Sequence, residues 1–192
     1  MMLERFLRYF GEKDTFHYNG DLYRDFLTQF GGRSFGNGLF RVFRPEDVPE
    51  WTQIVFEAFP WVTVDFKLIG YDWSGCVFAV YDRKDGKQII LSFDLGLDEV
   101  GVLEMEMEGF LNSAIPRNAN GSLNESHYRK WLRKTKQPVK YTDAVSVKTP
   151  VDYGGKFDVD NMEICDMEVY WAVFTAFRNS REGEERRRRG PT

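Results

Sequence analysis

The chain has 192 residues, a length typical of one domain with a single hydrophobic core. Apolar residues make up 42% and charged residues 29%, which indicates a globular protein and argues against a disordered one. The net charge of −4 argues against a strongly basic nucleic-acid-binding protein.

The sequence predicts a cytoplasmic protein. Charged residues interrupt the first ten positions every few residues, so no apolar run there is long enough for a signal peptide. No stretch approaches the ~18 apolar residues that a membrane span needs. Cys76 and Cys165 lie singly in apolar segments, and we expect both to be reduced core residues.

In chain order, hydrophobic periodicity and turn residues predict mixed elements. Helices are expected at 3–10, at 22–30 before Gly31-Gly32, at 48–59, at 106–113, at 124–134 and at 167–177. Strands are expected at 39–43, 62–68, 76–81, 88–93, 99–105 and 143–148, with an Asp-Gly hairpin connection at 82–86.

These elements predict an α+β fold. Consecutive strands with tight turns favour a mainly antiparallel sheet of about five to six strands, with helices before and after it that cover one face and both ends. One domain is expected over residues 1–180. Residues 181–192, which hold five Arg and three acidic residues, are expected to form a disordered charged tail.

Residues that could support catalysis are sparse. His17 and His127 have no second His or Cys at metal-ligand spacing, and no Gly-x-Ser-x-Gly turn presents a nucleophile. The glycines at 31–38 follow a helix and precede a strand, the wrong order for a phosphate-binding loop. The acids at 158–163 lack the central glycine of a calcium loop and are better explained as charges at the start of the last helix. We therefore expect no catalytic residue and no metal.

Charge segregation is more informative. Residues 92–109 hold six acids and no basic residue, and residues 152–168 hold six acids and one Lys, whereas residues 129–140 hold six basic residues and no acid. The candidate partner-binding residues are Asp94, Asp98, Glu99, Glu104, Glu106, Glu108, Asp158 and Asp160.

Three of these acids alternate with methionines. If residues 104–108 continue a strand, Glu104, Glu106 and Glu108 lie on one face. One interpretation is a solvated face. The other is an acidic surface for a basic partner, which would relieve the repulsion between the carboxylates.

Three segments resemble a known family: FGGRSFGNGLF at residues 30–40, GYDWSG at 70–75, and GGKFDVDNME at 154–163 followed by DMEVYW at 166–171. They are similar to the C-terminal domain type of type VI secretion immunity proteins, often fused to a GAD-like domain and related to the SUKH-type immunity superfamily. The similarity covers roughly residues 21–177, and the last segment is the most specific. The matching glycines are expected to shape turns, and Trp73 and Trp171 to pack the core.

The resemblance implies a SUKH-like α+β immunity protein that binds and neutralises a cognate secreted toxin, such as a DNase effector, in the cytoplasm of the producing bacterium. It implies no catalysis, no cofactor, no direct contact with nucleic acid and no membrane. An acidic surface suits this role, because the active cleft of a nuclease is usually basic.

Two alternatives stay open. The first is a regulatory protein-interaction module of the same fold with no toxin partner, which an adjacent effector gene would argue against. The second is an enzyme that uses a carboxylate pair, for which Asp72 and Asp94 are candidates because both lie near predicted strand ends.

Overall fold

The computed structural model describes residues 2–149 and 154–189, with side chains up to Ser180. The helices are α1 (Glu4–Tyr9), α2 (Leu22–Phe30), α3 (Val48–Ala58), α4 (Met107–Gly109), α5 (Ile115–Arg117), α6 (Ala119–Leu123), α7 (Glu125–Thr135) and α8 (Met167–Arg189). The strands are β1 (Ser34–Phe35), β2 (Phe40–Val42), β3 (Lys67–Asp72), β4 (Val77–Asp82), β5 (Gln88–Asp94), β6 (Glu99–Leu103), β7 (Asp143–Val147) and β8 (Met162–Asp166).

Strands β1 to β6 form one antiparallel sheet in sequence order, and β7 pairs with β8 in a separate antiparallel pair. The predicted α+β fold with a mainly antiparallel sheet is therefore confirmed. The predicted hairpin joins β4 to β5, where the Arg83 N–H donates to the Lys87 carbonyl over 2.8 Å.

Helices cover both faces of the sheet, whereas the sequence predicted cover on one face and both ends. Along β4, Phe78 and Val80 join a core with α1, α2 and α7, while Val77 and Ala79 join a second core with α3 and α8. A strand that is apolar at successive positions must be buried on both sides, which explains the two layers of helices.

The strand predicted at 62–68 is wrong for its first half, because β3 begins only at Lys67. Val62 and Val64 are half-buried and Phe66 is buried, so the alternation does describe which side chains face the core. The segment packs on the core without joining the sheet, and a period of two reports burial rather than strand pairing.

The helix predicted at 106–113 is also irregular. It forms α4, then a π-helical turn (Phe110–Ala114), then α5. Pro116 accounts for the interruption, because its ring removes one helical donor and clashes with the carbonyl four residues earlier, that of Asn112.

The tail predicted to be disordered has a helical backbone from position 181 to Arg189, because α8 continues through it. Glu and Arg make up eight of the nine residues from 181 to 189, and both are good helix formers. The last three residues of the tail, and Asp152 in the second acidic segment, lie outside the described residues.

Candidate functional site

Five of the predicted partner-binding acids lie in or next to β6, the outermost strand at one end of the six-stranded sheet. All five side chains are exposed. We call this group the acidic edge: Asp98, Glu99, Glu104, Glu106 and Glu108.

The acidic edge is not one face of a strand, so the predicted alternation of Glu104, Glu106 and Glu108 is wrong. Strand β6 ends at Leu103, Glu106 is the N-cap of α4, and Glu108 lies within that helix. The N–H of Met107 donates to the Gln88 side chain over 2.8 Å, which ties the start of α4 to β5. Glu104 lies in the turn after β6, and Glu106 and Glu108 lie at the start of α4. All three are exposed, but they do not share one face of a strand.

Two acids of the edge already have basic partners. Arg83 lies 3.1 Å from Glu104, and Arg178 lies 2.8 Å from Asp98. Glu99, Glu106 and Glu108 have no ion pair with any residue that the structure describes. These three carboxylates are the ones left to attract an external cation.

Asp94 serves the fold instead of the surface. It ends β5, is half-buried, and accepts the Leu97 N–H over 3.0 Å, which holds the turn into β6. Burial raises the pKa of its carboxyl above the usual range. Asp94 is therefore a turn residue beside the acidic edge.

Asp158 and Asp160 meet the basic segment of the same chain. Asp158 lies 3.6 Å from Lys130 and Asp160 contacts Lys134, both on α7. Together with Arg133 and Val159 they line a shallow groove of about 490 Å³. Asp158 caps the 3-10 turn Val159–Asn161 by accepting the N–H of Asp160, which lies within that turn. The last helix is capped instead by Asp166, which accepts the Val169 N–H over 3.0 Å. Thus Asp158 and Asp160 contact α7 rather than β6, and their charge is offset within the chain.

Asp72 belongs to a buried turn. Its Oδ1 accepts three hydrogen bonds, from the Ser74 N–H over 2.9 Å, the Ser74 hydroxyl over 2.7 Å and the Cys76 N–H over 3.1 Å. Burial raises the pKa of the Asp72 carboxyl to about 7, although those hydrogen bonds act in the opposite direction. This geometry assigns Asp72 to the β3–β4 turn, with Asp94 contributing to its electrostatic surroundings.

Cys76 and Cys165 are free thiols, as the sequence predicted, but each residue is only partly buried. Burial of the sulfur raises the pKa of the Cys76 thiol, and it raises that of Cys165 to about 11. Both thiols are therefore kept protonated and weakly nucleophilic near neutral pH. Among residues 2–149 and 154–189, no three His, Cys, Asp or Glu side chains are grouped as a metal would need.

The landmark residues of the resemblance have structural contacts. The Trp73 and Trp171 side chains are fully buried and donate from Nε1 to the carbonyls of Leu123 and Gly75, over 2.8 Å and 3.1 Å. Gly38 has φ +106°, and a Cβ there would overlap the Val139 carbonyl oxygen. These residues hold turns and the core, as the sequence predicted.

One buried group was missed by the sequence analysis. The Arg41 guanidinium is fully buried in β2 and donates to the backbone carbonyls of Lys140, Asp143 and Asp72, the first over 2.7 Å. It also lies 4.4 Å from the centre of the Tyr71 ring. This single side chain ties the start of β7 to β2 in the large sheet, about a hundred residues away in sequence.

The fold and site define an α+β protein with an antiparallel six-stranded sheet between two helical layers and an acidic outer edge. No family model matches the chain, and no curated protein matches it. A crystal structure of Atu4351 from Agrobacterium tumefaciens is similar in fold, with a TM-score of 0.66 and 19% sequence identity over 91% of this chain and 88% of that one.

No described helix combines the length and the apolar character needed to cross a lipid bilayer.

Proposed function

We propose that this protein binds and neutralises a cognate secreted toxin, as the type VI immunity resemblance implies, and that it does so in the cytoplasm of the producing cell. The observation that carries the proposal is the acidic edge, where Glu99, Glu106 and Glu108 are exposed and unpaired among the described residues. Like charges held close together repel, and a cationic partner relieves that repulsion.

A nuclease is the toxin class that best fits such a surface. Its active cleft binds a polyanion and is therefore lined by Lys and Arg. Carboxylates at the edge of a rigid sheet can occupy that cleft as phosphate mimics, with the fold providing preorganisation. The bound surface then excludes the nucleic acid without any chemical step by the immunity protein.

The experiment is calorimetric titration of the protein with the product of an adjacent effector gene. Changing Glu104, Glu106 and Glu108 together to Lys should weaken binding by about tenfold or more, because attraction becomes repulsion at three positions. Circular dichroism should show an unchanged fold, because all three side chains are exposed.

A matched control carries the same charge change elsewhere. Glu46, Asp65 and Glu163 are exposed and lie outside the acidic edge, so their combined replacement by Lys should change the affinity much less. Equal losses in both triple variants would mean that only net charge matters and would remove the acidic edge from the proposal. A wild-type protein that binds no neighbouring effector would overturn the proposed function itself.

A further inference from the structure

The register of the sheet establishes which backbone groups of β6 face outward. In the β4–β5 hairpin, Arg83 and Lys87 form a hydrogen-bonded pair. Hydrogen-bonded and non-hydrogen-bonded pairs alternate along antiparallel strands. The residues of β5 that bond to β4 are therefore Ile89, Leu91 and Phe93.

The remaining β5 residues bond to β6. Ile90, Ser92 and Asp94 stand opposite Leu103, Gly101 and Glu99. The N–H and C=O groups of the other two β6 residues, Val100 and Val102, consequently point away from the sheet.

The β3–β4 hairpin leads to the same assignment of hydrogen-bonded pairs. The Asp72 N–H donates to the Cys76 carbonyl over 3.0 Å, so the pair Gly70 and Phe78 is hydrogen-bonded between β3 and β4. Phe78 therefore bonds to β3 and not to β5, which agrees with the assignment from the Arg83–Lys87 pair.

The outward groups of Val100 and Val102 accept and donate no hydrogen bond among the described residues. The Val102 side chain is 56% exposed, and Leu97 before the strand is 68% exposed. An edge with two unpaired donors, two unpaired acceptors and exposed apolar side chains is suited to pairing with another strand.

We infer that β6 accepts an extended basic segment of the toxin as an additional strand of the sheet, an inference that rests on the proposed function. Glu99 begins β6, and the unpaired Glu106 and Glu108 follow its end at the start of α4, so carboxylates stand at both ends of the open edge. The complementary segment carries Lys or Arg at its ends and β-branched residues at its centre, opposite Val100 and Val102. Backbone hydrogen bonds supply affinity, and the charges select the partner.

Charge also disfavours a second copy of this chain as the occupant. A symmetric pairing that uses all four outward groups is centred on Gly101 and places Asp98 of one copy opposite Glu104 of the other. Arg178 and Arg83 offset these two acids within each copy, but the pairing also brings the unpaired Glu99, Glu106 and Glu108 of both copies to one interface, where like charges repel. The acids at the ends of β6 act against self-association and for a basic partner.

The test uses the full chain and a fluorescent peptide, Lys-Arg-Val-Thr-Val-Thr-Val-Arg-Lys, followed by anisotropy. The control peptide has the same sequence with its three central backbone nitrogens methylated, which blocks strand pairing while leaving the charge unchanged. The unmodified peptide should bind at least about tenfold more tightly than the methylated one. Equal affinities would overturn the inference, because charge alone would then explain binding.

A pair of variants tests the protein side. Val102→Pro removes an outward N–H and leaves the bonds to β5 in place, whereas Val102→Thr keeps that N–H. Val102→Pro should lose about tenfold or more in affinity for both peptide and toxin, and Val102→Thr should retain it. Circular dichroism and size-exclusion chromatography check that the variants keep the fold and the size of the wild type. If the wild type is a dimer and Val102→Pro dissociates it, the edge serves self-association and the inference is overturned.

The outcomes separate this inference from the proposed function. Toxin that binds wild type and Val102→Pro equally overturns edge pairing and leaves toxin binding intact. If the effector binds no form of the protein, the proposed function fails, and the methylated peptide still decides whether β6 accepts a basic strand.

Discussion

Asp72 carries the clearest electrostatic consequence at the scale of a single residue. Its carboxyl is buried, and its three hydrogen bonds all reach Oδ1. Asn at this position keeps that oxygen and removes the charge. The Asp72 side chain therefore allows the effect of ionisation to be separated from the effect of the turn.

The pKa of Asp72 is raised to about 7 in the folded state, above its value near 4 in an unfolded chain. A raised carboxyl pKa means that the folded state binds the proton more tightly, so this contribution to stability is complete below pH 4 and is lost as the pH rises through 7. The free energy of unfolding of the wild type should fall relative to Asp72→Asn by up to about 1.4 kcal/mol per pH unit in that window.

Urea unfolding at pH 5 and pH 8, followed by Trp fluorescence, measures this difference. Asp65→Asn is the control for the loss of a carboxylate, because Asp65 is exposed and its replacement should change the free energy of unfolding by less than about 0.5 kcal/mol. Parallel pH profiles for the wild type and Asp72→Asn would show that the Asp72 carboxyl does not titrate in this range.

At the scale of elements, α1 depends on a cap supplied from far along the chain. Its own N-cap, Leu3, has φ 60° and no capping side chain. Asn112, in the π-helical turn, instead accepts the N–H groups of Arg5 and Phe6 over 2.8 Å and 3.2 Å. The irregular turn before Pro116 thus places an acceptor where α1 has unsatisfied donors.

Removing this remote cap should loosen the packing of α1. We expect Asn112→Ala to lower the free energy of unfolding by about 1–2 kcal/mol, because two helix donors lose their acceptor. Asn112→Asp keeps an acceptor and adds a favourable charge at a helix N-terminus, so it should remain close to wild type.

Thermal unfolding of both variants and of Asn179→Ala provides the measurement. Asn179 is exposed on α8, and its truncation should change stability by less than about 0.5 kcal/mol. If Asn112→Ala is as stable as Asn179→Ala, the contacts of Asn112 with α1 contribute no measurable stability.

At the scale of the whole molecule, opposite charges are sorted into two regions with different roles. The acids Asp158 and Asp160 are offset by Lys130 and Lys134 within the chain. In the acidic edge only Glu104 and Asp98 of the five acids have a basic partner within the described chain. The remaining carboxylates create a negative electrostatic potential that would attract a basic partner. Long-range attraction of this kind mainly accelerates association and is screened by salt.

The proposed association with a basic toxin should therefore slow as ionic strength rises. Between 50 mM and 500 mM salt, stopped-flow measurements should show the association rate falling by about tenfold or more, with a smaller change in the dissociation rate. Replacing Glu104, Glu106 and Glu108 with Lys should flatten this dependence. A salt-independent association rate for the wild type would contradict steering by the acidic edge.

The sequence by itself determined the features that depend on neighbouring residues. Gly31 ends α2, the Asp-Gly turn closes the β4–β5 hairpin, and the predicted strands at 76–81 and 88–93 match β4 and β5 closely. Exposure of the acids around β6 was predicted as well, because charged side chains stay in water whatever the local backbone does.

Only the tertiary structure decided which distant residues meet. The pairing of Asp158 with Lys130, the carbonyl contacts of Arg41 across about a hundred residues, and the outward groups of Val100 and Val102 all depend on packing and register. Local periodicity carries no information on these points, because a strand has the same pattern whichever neighbour it pairs with. The exposed acids were therefore predictable from the chain, whereas the open strand edge that they flank follows only from the assembled sheet.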